Sequence, residues 1–330
     1  MRALSQTFMN DLLNPDGLLH PILERVKQDH TLMLSIRKDY INIYYRGGNI
    51  LRVKEQSSGP YSSFFDNKYN KSGVPSFGLP DVIERQGAAR TWVDSFQDLK
   101  GIMDFYFSKY SKPEREFQQL VARENNLSTI ANQSEYFVTD IEFADSDLGA
   151  RFDILALRWL ALQRKSSSNC RPALIEMKYG DGALSGKAGA LKHLQDIDAL
   201  ISIADKYKTL LETMETQFNQ LDELGLMAFN RVANLTKIKL DASEKPEVIF
   251  VLANHNPRSS KLSTILNDPE IEAYDHSSHF DLKFYVSSFA GYALHADCMV
   301  TLSQFRELLK SKNAEQGAAL DGDSAALHPR

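Results

Sequence analysis

The spacing of hydrophobic positions changes twice within the first 110 residues. Apolar residues at helical spacing predict one or two short helices over residues 1–30 and a further helix over 94–110. Between them, three segments from residue 32 to residue 55 are rich in β-branched and aromatic side chains, and turn-forming pairs separate these segments. We therefore expect a three-stranded β-meander within an N-terminal α+β extension that covers residues 1–110.

A second pattern begins near Ser111, where a capping serine and Pro113 favour the start of a helix. Three strands are predicted next, and then a glycine-rich connector, a helix from Lys187 past Tyr207, and a buried strand. The strands lie at 135–143, 150–162, 172–179 and 247–253. This order predicts an α/β domain over 111–312, with a mixed sheet flanked by helices, and the small, polar tail 313–330 is expected to be disordered.

Composition narrows the class of protein. The chain has 330 residues, 43% of them hydrophobic, and a net charge of −5. These values are ordinary for a globular protein and exclude collagen-like, disulfide-rich and wholly disordered chains. No run of 18 apolar residues and no export signal is found, and two cysteines suit a reducing compartment. We expect a cytoplasmic protein without a membrane partner.

Three side chains in adjacent predicted strands suggest a reactive site. Glu176 and Lys178 are two residues apart in one strand, so they project from the same face, and Asp153 lies in the preceding strand. Charges in such apolar strands must be paired or must bind an ion. Two carboxylates with bound water suit Mg²⁺ or Mn²⁺, which can activate a water and neutralise charge on a phosphate.

With these residues in this order, the chain resembles the PD-(D/E)XK nuclease superfamily. Glu176-Met177-Lys178 corresponds to the (D/E)XK half of the motif, and Asp153 corresponds to the first aspartate, with Phe152 in place of the usual proline. The resemblance implies a restriction-endonuclease-like fold and a metal-dependent nuclease. It also implies that Asp153 and Glu176 hold the metal ion and that Lys178 is the catalytic lysine.

Members of this superfamily often add a glutamate from the preceding helix to the metal site. Glu114, Glu116 and Glu124 compete for that position, and we favour Glu116. Glu142 is a further candidate, although a structural role is favoured for it and for Asp140. His193 is expected to be a packed or surface histidine.

Charge is unevenly distributed around these residues. The window 151–192 has eight basic and three acidic side chains, a net charge of +5, although the whole chain carries −5. Such a window is expected either of a groove that tracks phosphates or of separate solvated charges. Lys187 and Lys192, which flank the start of the predicted helix, are candidates for binding nucleic acid.

The sequence leaves three functions open. The first is a nuclease that acts on DNA in restriction, repair or defence, with a possible homodimer or protein partner. The second is a catalytically inactive nuclease-like scaffold that binds nucleic acid or protein. In the third, Glu176 and Lys178 form only a structural salt bridge.

Overall fold

The computed structural model shows an α/β protein built on two sheets. It describes residues 2–57, 59–71, 78–128, 131, 134–164, 166, 169–186, 189–230, 237–253, 260–286 and 299–308. Lys187 and the tail 313–330 lie outside the described residues, so the expectations for them stay predictions. Within the described residues, no helix is long and apolar enough to cross a membrane.

The N-terminal part is a five-stranded antiparallel sheet with three helices. Its strands are β1 (Leu32–Ile36), β2 (Tyr40–Tyr45), β3 (Gly48–Gln56), β4 (Gly59–Phe64) and β5 (Val82–Ile83), in that spatial order. Its helices are α1 (Gln6–Leu13), α2 (His20–Gln28) and α3 (Gln86–Lys109). The predicted meander is confirmed as β1–β3. The segment 57–80 is rich in serine, glycine, asparagine and proline, which predicts an irregular loop, and this prediction is wrong in part because β4 continues the sheet there.

The second part is a six-stranded mixed sheet in the order β11-β10-β9-β8-β7-β6. Its strands are β6 (Tyr136–Asp145), β7 (Ala150–Arg158), β8 (Arg171–Tyr179), β9 (Glu247–Ala253), β10 (Asp281–Val286) and β11 (Met299–Val300). Strands β6, β7 and β8 pair antiparallel, whereas β8, β9 and β10 pair parallel. The central strand β9 is buried at every position, which explains why its sequence shows no alternation.

Helices cover both faces of this sheet. They are α4 (Pro113–Asn126), α5 (Ala190–Ile201), α6 (Ala204–Glu223), α7 (Ser260–Leu266) and α8 (Pro269–Glu272). Helix α4 packs on the face that carries Ile175 and Met177, and α5 packs on the face that carries Leu174. The prediction of one helix past Tyr207 is wrong, since the chain turns between α5 and α6.

The two sheets share a hydrophobic core. One cluster of buried side chains joins Trp92 and Phe96 of α3 to Phe137 of β6, Trp159 and Phe218 of α6. A buried polar network adds to this contact, because Asp140 of β6 accepts hydrogen bonds from Ser35 and Arg37 at the end of β1. The N-terminal part is therefore packed directly on the elements that carry the acidic side chains.

Candidate functional site

The site lies where β7 and β8 separate. Their antiparallel pairing runs from Arg158 opposite Arg171 to Ile154 opposite Ile175 and ends there, while β8 continues to Tyr179 alongside β9. Beyond Ile175, the backbone N–H groups of β8 on the β7 side have no strand partner. Backbone donors left in this way need other acceptors.

Two carboxylates accept hydrogen bonds from these backbone N–H groups. Asp153 Oδ2 accepts the N–H of Met177 at 2.9 Å, and Glu114 Oε2 accepts the N–H of Tyr179 at 3.4 Å. Asp153 comes from β7, whereas Glu114 comes from the first turn of α4. Because Met177 and Tyr179 are two residues apart, the carboxylates are held about 7 Å apart along the strand edge. Stacking of Phe117 of α4 on Tyr179, with ring centres 5.2 Å apart, holds the helix in place.

Glu176 and Lys178 lie on the same face of β8, as the strand alternation predicts. Lys178 Nζ is 3.6 Å from Glu176 Oε2, and His193 Nδ1 of α5 is 3.2 Å from the same oxygen. Glu176 is fully buried and Lys178 is almost so. Even so, neither carboxylate oxygen of Glu176 makes a hydrogen bond of good geometry within the part of the chain that the structure describes.

The pKa shifts follow from this crowding of negative charge. Burial raises the pKa of Glu176 well above its ordinary value, and the charge of Asp153 raises it further, against the opposing effect of Lys178. The pKa of Glu114 is raised by the same two causes, burial first and Asp153 second. Three carboxylates thus face one lysine ammonium, and the carboxylates are not fully compensated by cationic side chains.

The structure places the two first-turn glutamates of α4 in different surroundings. Glu116 points to the β2–β3 turn, where its carboxylate receives two hydrogen bonds from Arg46 at 2.9 and 3.2 Å. Glu114, two residues earlier, is the glutamate of α4 that reaches the strand edge. Glu142 is held by Arg115 at 2.7 Å, and the buried Asp140 is held by Arg37, in keeping with structural roles.

The described basic residues of the window make contacts in different parts of the sheet and α5. Arg158 and Arg171 pair with Glu247, and the buried Arg164 donates to the carbonyl of Trp159. Lys192 is exposed and pairs with Asp196 one turn along α5. Lys165 and Lys187 lie outside the described residues, so a groove that tracks phosphates stays a prediction.

The sequence predicts no role in the site for His193, but the structure places its Nδ1 next to Glu176. Its position near Glu176 depends on how α5 crosses the sheet, and a lone histidine three residues into a helix gives no signal of that. The glycine-rich connector was the available hint, because it begins directly after β8 ends at Tyr179 and is followed by α5.

A divalent cation fits the donor set. Within the described residues, no three His, Cys, Asp or Glu side chains are grouped closely enough to hold a metal by themselves. Mg²⁺, however, usually keeps several waters and binds through one or two carboxylates. The buried carboxylate of Glu176 and the neighbouring carboxylate of Asp153 could supply such ligands.

Comparison of the chain with protein-family models, with curated proteins and with solved structures gives no match. The chemistry of the site is therefore inferred from the geometry of its side chains.

Proposed function

We propose that this protein is a metal-dependent nuclease that hydrolyses phosphodiester bonds in DNA, with a restriction-endonuclease-like arrangement of the second sheet. The observation that carries the proposal is the carboxylate of Asp153, bonded to the backbone between Glu176 and Lys178 at the point where β7 and β8 part. Two acids and a lysine then face the same gap in the sheet. Glu114 supplies a third acid from α4.

Each residue has a distinct task in this proposal. Asp153 and Glu176 would hold Mg²⁺ or Mn²⁺, and Glu114 would bind a water of the metal's hydration shell. The bound metal supplies a water of lowered pKa and neutralises charge on the phosphate. Lys178, kept close to Glu176, would orient the attacking water and stabilise the negative charge that develops on the phosphorane.

The test is cleavage of DNA by the purified full chain. Linear duplex, nicked and single-stranded substrates are incubated with Mg²⁺, with Mn²⁺ or with EDTA. We expect cleavage that needs the metal and that falls by at least 100-fold in Glu176→Gln and in Lys178→Met. The Lys178→Met protein should still bind DNA.

A matched pair of variants tests the assignment on α4. Glu114→Gln should lower the rate roughly tenfold, whereas Glu116→Gln, whose amide oxygen can still accept a hydrogen bond from Arg46, should keep most of the activity. Cleavage that survives Glu176→Gln would show that the activity comes from elsewhere and would overturn the proposal.

An inactive nuclease-like scaffold is the second candidate. It is favoured by the absence, among the described side chains, of a preformed group of three metal ligands. DNA binding without cleavage under every metal condition, unchanged in Glu176→Gln, would support the scaffold and exclude the nuclease.

A further inference from the structure

A second feature lies on the other side of the first turn of α4. A cavity of about 150 Å³ opens between the β2–β3 turn, the C-terminal end of α3 and the start of α4. Its wall includes Lys68, Tyr69, Tyr106, Lys112 and Arg115. We call it the α3–α4 pocket. Drug-sized ligands occupy pockets of roughly 300–1,000 Å³, so this volume suits a group of the size of phosphate.

The lining of the α3–α4 pocket is cationic. Asp66 pairs with Lys68 at 2.5 Å, and Glu142 pairs with Arg115 at 2.7 Å, but neither acid is part of the wall. Within the described residues, Lys112 forms no ion pair. Lys112 is also the residue before α4, so it lies at the positive end of this 14-residue helix, whose first turn carries Glu114 and Glu116.

Aromatic rings lead from the pocket to the surface. Tyr69 contacts Tyr106 with ring centres 5.1 Å apart, and Tyr106 contacts Tyr110 at 4.9 Å. Tyr110 is 52% exposed, so its ring is accessible to a ligand. Cationic grooves beside exposed aromatic rings are how proteins bind single-stranded nucleic acid, because unpaired bases stack on the rings.

The pocket and the candidate site share the first turn of α4. Arg115 in the pocket wall follows Glu114, and its partner Glu142 is one of the charges that raise the pKa of Glu114. We propose that the α3–α4 pocket binds a phosphate of a single-stranded nucleic-acid segment beside the cleavage site, with a base stacked on Tyr110. The inference deepens the proposed nuclease function and rests on it for the position of the cleaved bond.

Binding is measured by the fluorescence anisotropy of a labelled single-stranded DNA oligonucleotide, in EDTA so that no cleavage occurs. The double variant Lys68→Ala/Lys112→Ala should bind roughly tenfold more weakly at 0.1 M salt. Its plot of log affinity against log salt should also be shallower by about 1.4, the value for two lost contacts with a single strand. Lys208→Ala removes an exposed lysine from α6, which packs on the opposite face of the second sheet from α4, and should change neither quantity.

Tyr110→Ala distinguishes a strand from a free anion. Loss of a stacked base should weaken binding of the single strand roughly tenfold and leave duplex binding unchanged. If Tyr110→Ala has no effect while inorganic phosphate competes at millimolar concentration, the ligand is a free phosphate and the strand is excluded. A double lysine variant with the affinity and salt slope of the unmodified protein would overturn the pocket itself.

The outcomes also separate this inference from the nuclease proposal. Binding that depends on Lys68, Lys112 and Tyr110 without any cleavage would keep the pocket and reject the nuclease. Metal-dependent cleavage that both pocket variants leave unchanged, with unchanged affinity, would keep the nuclease and reject the pocket.

Discussion

At the scale of single residues, the main feature is an excess of negative charge in a buried place. Glu114, Asp153 and Glu176 face Lys178, and burial with mutual repulsion raises the pKa of Glu114 and of Glu176. Ionised carboxylates in such surroundings cost stability unless a cation neutralises them. The site is therefore expected to lower the stability of the protein in the absence of metal. The same excess of negative charge is expected to favour binding of a divalent cation.

Replacing Glu176 by glutamine should stabilise the protein at neutral pH in the absence of metal. A carboxyl whose pKa is raised on folding holds its proton in the folded state after the unfolded chain has lost it. The contribution of Glu176 to the free energy of unfolding therefore falls as the pH rises above about 4.5, the ordinary pKa of a glutamate, and it stays low above the raised pKa. Glu176→Gln should thus gain about 1–2 kcal/mol at pH 8 and little at pH 4.5. Thermal unfolding in EDTA between these values measures the difference.

Two controls keep this test specific. Glu84→Gln changes an exposed glutamate and should stay within about 0.5 kcal/mol at every pH. Addition of Mn²⁺ or Mg²⁺ should raise the melting temperature of the unmodified protein and leave Glu176→Gln almost unaffected. A variant that is less stable than the unmodified protein at pH 8 would mean that Lys178 already compensates Glu176.

Only part of this site could be predicted from the amino-acid sequence. Asp153, Glu176 and Lys178 are brought together because strand alternation and the pairing of neighbouring strands act over short distances in the chain. The choice between Glu114 and Glu116 depends on contacts 65 and 70 residues away, with Tyr179 and Arg46. Both glutamates suit the first turn of a helix equally well, so no local pattern separates them.

At the scale of elements, the turn between β2 and β3 fixes the start of α4. Arg46 binds Glu116, and the N–H of Gly47 donates to Gln119 Oε1 at 2.7 Å. Gly47 has a φ of +70°, and a Cβ atom there would lie 2.5 Å from the backbone of Arg115. The N-terminal sheet thereby holds the helix that presents Glu114 to β8.

Gly47→Ala should therefore damage the site through the position of α4. The new methyl group meets backbone atoms and the residue must keep a left-handed conformation, so we expect a loss of about 2–3 kcal/mol of stability. The nuclease activity that we propose should fall more than the folded fraction does. The matched variant Gly101→Ala lies in the exposed part of α3 with open space around it, and it should stabilise the protein by about 0.5–1 kcal/mol. Urea unfolding and cleavage rates of both variants provide the check, and equal behaviour would contradict this role of the turn.

Elements differ in how well the sequence predicts them. β1–β3 and β8 have apolar patterns bounded by turn residues, and they form where expected. The end of α5 at Ile201 has no glycine or proline to mark it, and β4 lies in a stretch of serine and glycine, so tertiary packing decides both. Two basic residues of the charge window, Arg158 and Arg171, pair with Glu247 at the start of β9, a long-range contact that the net charge of the window does not reveal.

At the scale of the whole molecule, buried contacts join the two sheets. Asp140 is fully buried and accepts hydrogen bonds from Arg2, Ser35 and Arg37 of the N-terminal part and from Gln217 of α6. Trp92 and Trp159, one in each part, belong to the same hydrophobic cluster. A polar network of this kind stabilises the assembly only while every member is present. The two parts are therefore expected to unfold together although each has its own sheet.

The two tryptophans allow this cooperativity to be measured. In Trp159→Phe the fluorescence reports on α3 of the N-terminal part, and in Trp92→Phe it reports on the end of β7. In each variant, the fluorescence and far-ultraviolet circular dichroism curves in urea should coincide, as two-state unfolding requires.

Adding Asp140→Asn should lower the free energy of unfolding reported by both tryptophans by the same amount, about 3–5 kcal/mol, because Arg37 loses its buried partner. Asp16→Asn, an exposed control, should move neither. If Asp140→Asn shifts only one of the two tryptophan signals, the parts fold as separate units, and the N-terminal sheet cannot set the position of Glu114 through a common core.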